Sequence, residues 1–171
     1  MNIFVLDTDI PTCAQYHCDK HVVKMITEYC QLLSTCMHTL GYEYAPYKPT
    51  HKNHPCGVWV KESRSNYEWL WKLADEVGKE YTSRYKKLHL SHLRLLNDIP
   101  VTLKKLPDQG LTPFVNCTEH KHIDDVVEAY RESYLTDKAH FVKWKASKIP
   151  YWFSLKVDSY FDINKLIPLW G

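Results

Sequence analysis

The segment from His17 to Leu40 contains neither proline nor glycine, and its apolar residues follow the period of an α-helix. Apolar residues at alternating steps of four and three lie on one helix face. In this segment they are Val22, Ile26, Tyr29, Leu33, Cys36 and Leu40. Further apolar residues between them widen the face to about half of the circumference. A helix of this kind is largely buried, so the segment predicts the central helix of a helical domain.

A polar stripe follows the same period along this segment. Its members are His17, His21, Lys24, Glu28, Gln31 and Thr35. One interpretation is a solvated edge that carries a Lys24–Glu28 pair at i,i+4. The other is a helix that lines a cleft. In that case Glu28 is a candidate general acid or base, and Lys24 is a charge partner or, if desolvated, an amine nucleophile.

Composition narrows the class of protein. Five glycines in 171 residues argue against a glycine-rich phosphate loop and for a helical fold. A net charge of +2 does not by itself indicate nucleic acid, so a basic surface would require local clustering of lysines. Six cysteines without a Cys-x-x-Cys pair, and no signal peptide, predict free thiols in a reducing cytoplasm. No apolar run is long enough for a membrane span.

The secondary-structure elements indicated by the sequence predict a mainly α fold. It is a single compact domain over residues 1–171 with four or five helices and long aromatic loops. Residues 2–6 form either a short strand or a buried N-terminal arm. Pro150 predicts an extended stretch around residues 149–153, and residues 154–171 form a C-terminal extension. Four predicted helices cover residues 17–40, 55–62, 63–87 and 89–97, and a fifth begins at residue 124.

The loop before the second predicted helix is rich in basic and imidazole side chains. It carries Lys48, His51, Lys52, Asn53 and His54. A helix N-terminus directs free N–H groups outward and favours phosphate, so this loop is a candidate nucleic-acid contact. The alternative is an ordinary solvated turn.

A second candidate contact lies in the aromatic segment 141–153. Lysines alternate there with bulky rings, and we single out Lys143, Lys145 and Trp152. Bases stack on aromatic faces while lysines meet phosphate, which suits a nucleic-acid groove. The alternative is that the tryptophans anchor the core.

Histidine spacing also permits a metal site. His17 and His21 are four residues apart on the predicted helix, and His51 and His54 could complete a zinc-type centre. Such pairs are common by chance, and the leading interpretation has no metal and no cofactor.

Three short motifs resemble the endonuclease V-type pyrimidine-dimer DNA glycosylases of phages or, for the second motif, their bacterial relatives. They are Asp19-Lys20-His21 followed by Glu28, Asn53-His54-Pro55, and Pro150-Tyr151-Trp152-Phe153. The resemblance implies a small, all-helical, metal-free enzyme that cuts the glycosidic bond of a damaged pyrimidine. Such an enzyme then breaks the strand through a Schiff base. It also implies that Glu28 is catalytic, that His21 is a positioning residue, and that Trp152 is an aromatic contact.

The chain departs from this family's pattern at two places. Family members use the α-amine of a processed N-terminus, whereas here Met1 precedes Asn2, a side chain large enough to disfavour removal of the methionine. The nucleophile is therefore the amine of Met1 or that of Lys24. Thr27 and Tyr29 flank Glu28 where the family has arginines.

These observations favour a DNA glycosylase/AP lyase that acts on a damaged or modified pyrimidine. We expect a monomer in the cytoplasm, that of the host cell if the protein is viral. Its partner is DNA, not a membrane. The alternatives are a non-catalytic nucleotide- or nucleic-acid-binding protein of phage origin and a histidine-based, metal-dependent phosphodiesterase. The candidate residues are Met1, His21, Lys24 and Glu28 for catalysis, and His17, Lys48, His51, Lys52, Asn53, His54, Lys143, Lys145 and Trp152 for nucleic-acid binding.

Overall fold

The computed structural model describes residues 1–145 and 149–156, and it is mainly helical, as predicted. The described residues form seven helices and no β-strand. The helices are α1 (Ile10–Tyr16), α2 (Asp19–Thr39), α3 (Pro55–Glu62), α4 (Arg64–Tyr85), α5 (Leu90–Asp98), α6 (Val126–Leu135) and α7 (151–156). Most of the predicted C-terminal extension, residues 157–171, lies outside the described part. No helix in the described ranges combines the length and apolar character needed to cross a membrane.

Two short helices, α1 and α7, were not predicted, and each begins next to a proline. In α1, Asp9 is the N-cap and accepts a hydrogen bond from the amide of Thr12 at 3.1 Å, and Pro11 lies in the first turn. Helix α7 replaces the extended stretch predicted around Pro150. Proline disfavours a helical conformation for the residue before it, but its own fixed φ suits the first turn of a helix. Accordingly, the carbonyl of Pro150 accepts from the amide of Phe153 at 2.9 Å.

Helix α2 is the centre of the fold, as its apolar period predicted. It packs against α3, α4 and α5, and its buried side chains include Ile26, Tyr29 and Leu33. Ser63 is the N-cap of α4, and its hydroxyl accepts from the amide of Asn66 at 3.0 Å. The largest buried side chains belong to α2, α3, α4, α6 and the N-terminal segment, which therefore share one core.

The N-terminal segment is a buried arm, so the strand alternative is wrong. Ile3, Phe4 and Leu6 are buried, yet their amides donate to side chains instead of a neighbouring strand. The acceptors are the thiol of Cys56, the hydroxyl of Tyr29 and the thiol of Cys13, at 3.4, 3.2 and 3.4 Å. Because these side chains satisfy the buried donors, the arm needs no sheet partner.

His17 belongs to this core and not to the surface, which corrects the expectation that it contacts DNA. Its side chain is 0% exposed. Nδ1 lies 2.8 Å from the carbonyl oxygen of Cys13, and Nε2 lies 2.7 Å from the hydroxyl of Tyr29. Because Tyr29 also accepts from the amide of Phe4, His17 supports the arm indirectly.

The buried imidazole of His17 makes the fold sensitive to acid. Burial is the main cause that lowers the pKa of His17 from 6.5 to about 4. The unfolded chain therefore binds more protons between these two values, so the stabilisation is complete above pH 6.5 and is lost as the pH falls toward 4. We expect a loss of about 3 kcal/mol from this group, at 1.36 kcal/mol per pKa unit.

Urea unfolding at several pH values between 7 and about 4 measures this effect. His17→Gln keeps a polar partner for Tyr29 but cannot titrate, so its unfolding free energy should fall less steeply with acid. His122 is exposed, and His122→Gln should retain the slope of the unmodified protein. An unchanged slope in His17→Gln would contradict the assignment.

Candidate active site

The N-terminal arm, the first half of α2 and the segment after α6 enclose a cleft of about 300 Å³. This volume is at the lower end of the range for small-molecule sites. Its lining residues are Met1, Asn2, Phe4, Lys20, His21, Lys24, Met25, Glu28, Lys138 and Phe141. The cleft therefore brings together all four residues that were predicted to be catalytic.

Glu28 and Lys24 form an ion pair within the cleft, with Nζ of Lys24 3.0 Å from Oε1 of Glu28. The Glu28 side chain is only 15% exposed, whereas that of Lys24 is 65% exposed. Glu28 is therefore a shielded carboxylate inside the cleft. Lys24 does not meet the condition of desolvation that its role as a nucleophile required.

His21 is fixed against the arm and held in its neutral form. It is 6% exposed, stacks on the ring of Phe4 at 4.2 Å, and has Nδ1 2.5 Å from the hydroxyl of Tyr134. Burial, followed by the charges of His17 and nearby lysines, lowers its pKa to about 3. His21 can therefore orient a ligand or a neighbouring side chain by hydrogen bonding, but at neutral pH it carries no charge.

The loop before α3 lies beside the cleft. His54 is the N-cap of α3, and its Nδ1 accepts from the amide of Cys56 at 3.2 Å. Burial lowers the pKa of His54, as do the positive charges of the Met1 amine and His51, whereas Glu28 opposes this shift. The first turn of α3 also contacts the N-terminal arm directly, because Sγ of Cys56 accepts from the amide of Ile3 at 3.4 Å.

The other predicted residues of this loop are at the surface. Lys48, His51, Lys52 and Asn53 are all exposed. His51 has a positive φ of 48°, and its Nδ1 lies 2.6 Å from the hydroxyl of Thr50. The loop thus offers two lysines, an imidazole and an amide next to the cleft.

The segment after α6 leads from the cleft to the start of α2. Phe141 lines the cleft with Nζ of Lys20 4.4 Å from its ring centre, and the carbonyl of Lys143 accepts from the amide of Asp19 at 2.8 Å. Lys143 and Lys145 are exposed, as a phosphate-binding role requires. Nζ of Lys145 lies 5.8 Å from the ring centre of Tyr85.

Trp152 is a core anchor, which corrects its predicted role in base stacking. It is 8% exposed and makes edge contacts with the rings of Tyr16 and Tyr134 at 5.8 and 6.1 Å. The guanidinium of Arg131 lies 5.5 Å from its ring centre. With its ring enclosed in this way, Trp152 presents no free face to a base.

The structure does not form the four-histidine metal centre. Both ring nitrogens of His17 are occupied by hydrogen bonds to protein groups. A different group of potential ligand atoms does come together within the described ranges. One atom each from His54, Cys56 and Cys117 lie within 4.8 Å of one another.

Sequence reasoning missed six residues of the cleft wall: Asn2, Phe4, Lys20, Met25, Lys138 and Phe141. Lys20 had a detectable signal, because it precedes Lys24 by four residues and so lies on the same face of α2. Lys138 and Phe141 join the cleft from more than a hundred residues away, and no local period indicates such a contact.

These features define a small helical protein whose cleft combines a primary amine with a shielded carboxylate. A family model described as pyrimidine dimer DNA glycosylase matches residues 1–92, which is more than half of the 171-residue chain. The chain belongs to this family of DNA glycosylases. The matched range contains Met1, His21, Lys24 and Glu28. No curated protein and no solved structure matches the chain.

Proposed function

We propose that the protein is a DNA glycosylase and AP lyase that acts on a damaged or modified pyrimidine, with the α-amine of Met1 as nucleophile and Glu28 as acid–base residue. The observation that carries this proposal is that Met1 and Glu28 line the same cleft. Membership of a DNA glycosylase family supports the same reaction class.

The proposed reaction needs only an amine and a carboxylate. The unprotonated amine attacks C1′ of the target nucleotide, the glycosidic bond breaks, and the base leaves with a proton. Loss of the amine protons and opening of the sugar ring give an imine between Met1 and C1′. Glu28 then accepts the C2′ proton, the bond from C3′ to the phosphate oxygen breaks, and the 3′ strand is released. Water hydrolyses the imine and restores the amine.

The charges around the cleft support a DNA substrate. Lys20, Lys24 and Lys138 are cationic side chains in the cleft wall, and Lys143 and Lys145 continue the basic surface along the segment after α6. Base chemistry on a duplex requires the target nucleotide to leave the stack. The lysines hold the phosphates on both sides of that nucleotide while it enters the cleft.

The neutral His21 and the ring of Phe141 complete the proposed site. His21 is locked by Phe4 and Tyr134, so it orients the nucleotide or Glu28 without adding charge. Phe141 lines the cleft and is half-buried, so part of its ring is available to a base or sugar.

Trapping with borohydride tests the proposal directly. The protein is incubated in a chelator with labelled duplexes that contain a cyclobutane pyrimidine dimer or an abasic site, and the imine is then reduced. We expect a covalent protein–DNA adduct on the damaged duplexes and none on a matched undamaged duplex. Absence of an adduct from protein that still binds DNA would favour the non-catalytic binding protein. Activity that disappears in the chelator would favour the metal-dependent phosphodiesterase.

Lysine variants test where DNA lies. Each lysine–phosphate contact releases counterions, so Lys20→Ala and Lys145→Ala should each lower the salt slope of DNA binding by about one. Binding constants measured at several salt concentrations give these slopes.

Lys105 provides the control for these variants. Its Nζ donates to the carbonyl of Leu40, just beyond the end of α2 and about 30 Å along the helix axis from Lys20. Lys105→Ala should retain the original slope. Equal slopes in all three variants and the unmodified protein would place DNA on another face.

A further inference from the structure

Two thiols and an imidazole meet beside the N-terminal arm, and none of the three side chains lines the cleft that holds Met1 and Glu28. Sγ of Cys56 and Sγ of Cys117 are 3.5 Å apart. A ligand nitrogen of His54 completes the group, with all three atoms within 4.8 Å of one another. The proposed reaction uses none of these side chains.

The fold holds the three side chains in place from separate parts of the chain. His54 and Cys56 belong to the cap and first turn of α3, so their relative positions are set by the helix. Cys117 lies in the long loop before α6, and its carbonyl accepts from Nδ2 of Asn2 at 3.2 Å. Its amide donates to the hydroxyl of Tyr130 at 3.4 Å. The cluster is therefore braced by the arm, by α3 and by α6.

The geometry is close to that of a zinc ligand set. Two thiolates bound to tetrahedral zinc at about 2.3 Å have sulfurs about 3.8 Å apart. The observed 3.5 Å between Cys56 and Cys117 is near this value and far from the ~2.05 Å of a disulfide. Both residues are free cysteines. Thiolate and imidazole ligands select zinc-like cations over magnesium or calcium.

Burial leaves one side of the group accessible. Cys56 is 1% exposed, whereas His54 and Cys117 are half-buried. A cation can therefore approach past these two residues, and the fourth tetrahedral position remains for water or another ligand. We propose that His54, Cys56 and Cys117 bind one zinc-class divalent cation, at a site separate from the amine–carboxylate chemistry.

Titration of the reduced full chain with Co²⁺ tests this site, because cobalt bound to thiolates gives a charge-transfer absorption. We expect this absorption to saturate at one equivalent and to disappear when Zn²⁺ is added. It should be absent in Cys117→Ala and in Cys56→Ala, and it should require a higher cobalt concentration in His54→Ala. Circular dichroism checks that each variant remains folded.

Two matched variants control for the other cysteines and for the neighbouring imidazole. Cys36 is a buried cysteine of α2 outside the group, and His51 is an exposed histidine whose ring centre is 6.4 Å from that of His54. Cys36→Ala and His51→Ala should bind cobalt as the unmodified protein does. Absorption that is equally reduced in Cys36→Ala, or that is retained in Cys117→Ala, would overturn the proposal.

Thermal unfolding gives a second measurement. A ligand that binds the folded state but not the unfolded chain raises the midpoint, because it adds RT ln(1 + [L]/Kd) to the free energy of unfolding. Zn²⁺ should raise the midpoint of the unmodified protein and of His51→Ala but not that of Cys117→Ala, and Mg²⁺ should raise none. A similar rise with Mg²⁺, or no rise with Zn²⁺, would contradict a thiolate site. Borohydride trapping is carried out in a chelator and therefore without the cation. A negative result for cation binding thus leaves the test of the glycosylase reaction unchanged.

Discussion

Glu28→Gln is expected to lower the rate of strand cleavage by about 10²–10⁴-fold, the usual contribution of a general acid or base. Glutamine keeps the size of the side chain but can neither accept nor deliver a proton at neutral pH. The ion pair that it removes involves Lys24, which is largely exposed, so the free energy of unfolding should change by less than about 1 kcal/mol. Single-turnover cleavage of an abasic duplex measures the rate, and binding to the same duplex is measured in parallel.

Glu76 provides the matched control. It forms an ion pair with Lys79 on α4 at 2.7 Å, and it lies outside the cleft lining. Glu76→Gln should cleave at the original rate. Full activity in Glu28→Gln would remove Glu28 from the reaction. A parallel loss of binding and folding would indicate that the residue acts only on structure.

Blocking the α-amine of Met1 is expected to reduce borohydride trapping to the level of protein-free DNA. An acetylated amine, or one joined to an added N-terminal peptide, cannot form an imine. α-Amines in general also titrate nearer neutral pH than lysine side chains, so a free α-amine needs less tuning to act as a nucleophile. Mass spectrometry of the purified protein verifies that the unblocked form begins at Met1.

Lys24→Ala decides between the two amines. Lys24 is 65% exposed and paired with Glu28, so its removal should weaken DNA binding modestly but preserve the trapped adduct. Trapping that survives the N-terminal block and disappears in Lys24→Ala would transfer the role of nucleophile to Lys24. Peptide mapping of the reduced adduct identifies the modified residue independently.

The helical period predicted the central helix and the face that carries His21, Lys24 and Glu28. It was wrong for His17 because α2 begins at Asp19, and His17 is instead the C-cap of α1. A period extended past the end of a helix no longer describes one face. Thr35 has a different cause: it lies inside α2 but is buried, because its hydroxyl donates to the carbonyls of Gln31 and Thr50 and so needs no contact with water.

Composition alone did not distinguish surface aromatics from core aromatics. Phe141 and Trp152 belong to the same aromatic segment, yet Phe141 lines the cleft and Trp152 packs in the core. Their positions depend on contacts with α1, α2 and α6, which are distant in sequence. The buried arm was unpredictable for the same reason. The side chains of Tyr29 and Cys56 accept the hydrogen bonds that a neighbouring strand would otherwise accept, and no local sequence pattern indicates these contacts.

The arm also determines when the entropic cost of ordering the proposed nucleophile, the Met1 amine, is met. Chain termini are usually mobile, and fixing the backbone of one residue costs roughly 1–2 kcal/mol in conformational entropy. Here Ile3 and Phe4 are already immobilised by Cys56 and Tyr29 in the folded chain. The cost is therefore met once, during folding, and not again in each turnover. If the Met1 amine is the nucleophile, a substitution that loosens Tyr29 should slow the proposed reaction, because the amine would sample a wider range of positions even with every group in the cleft retained.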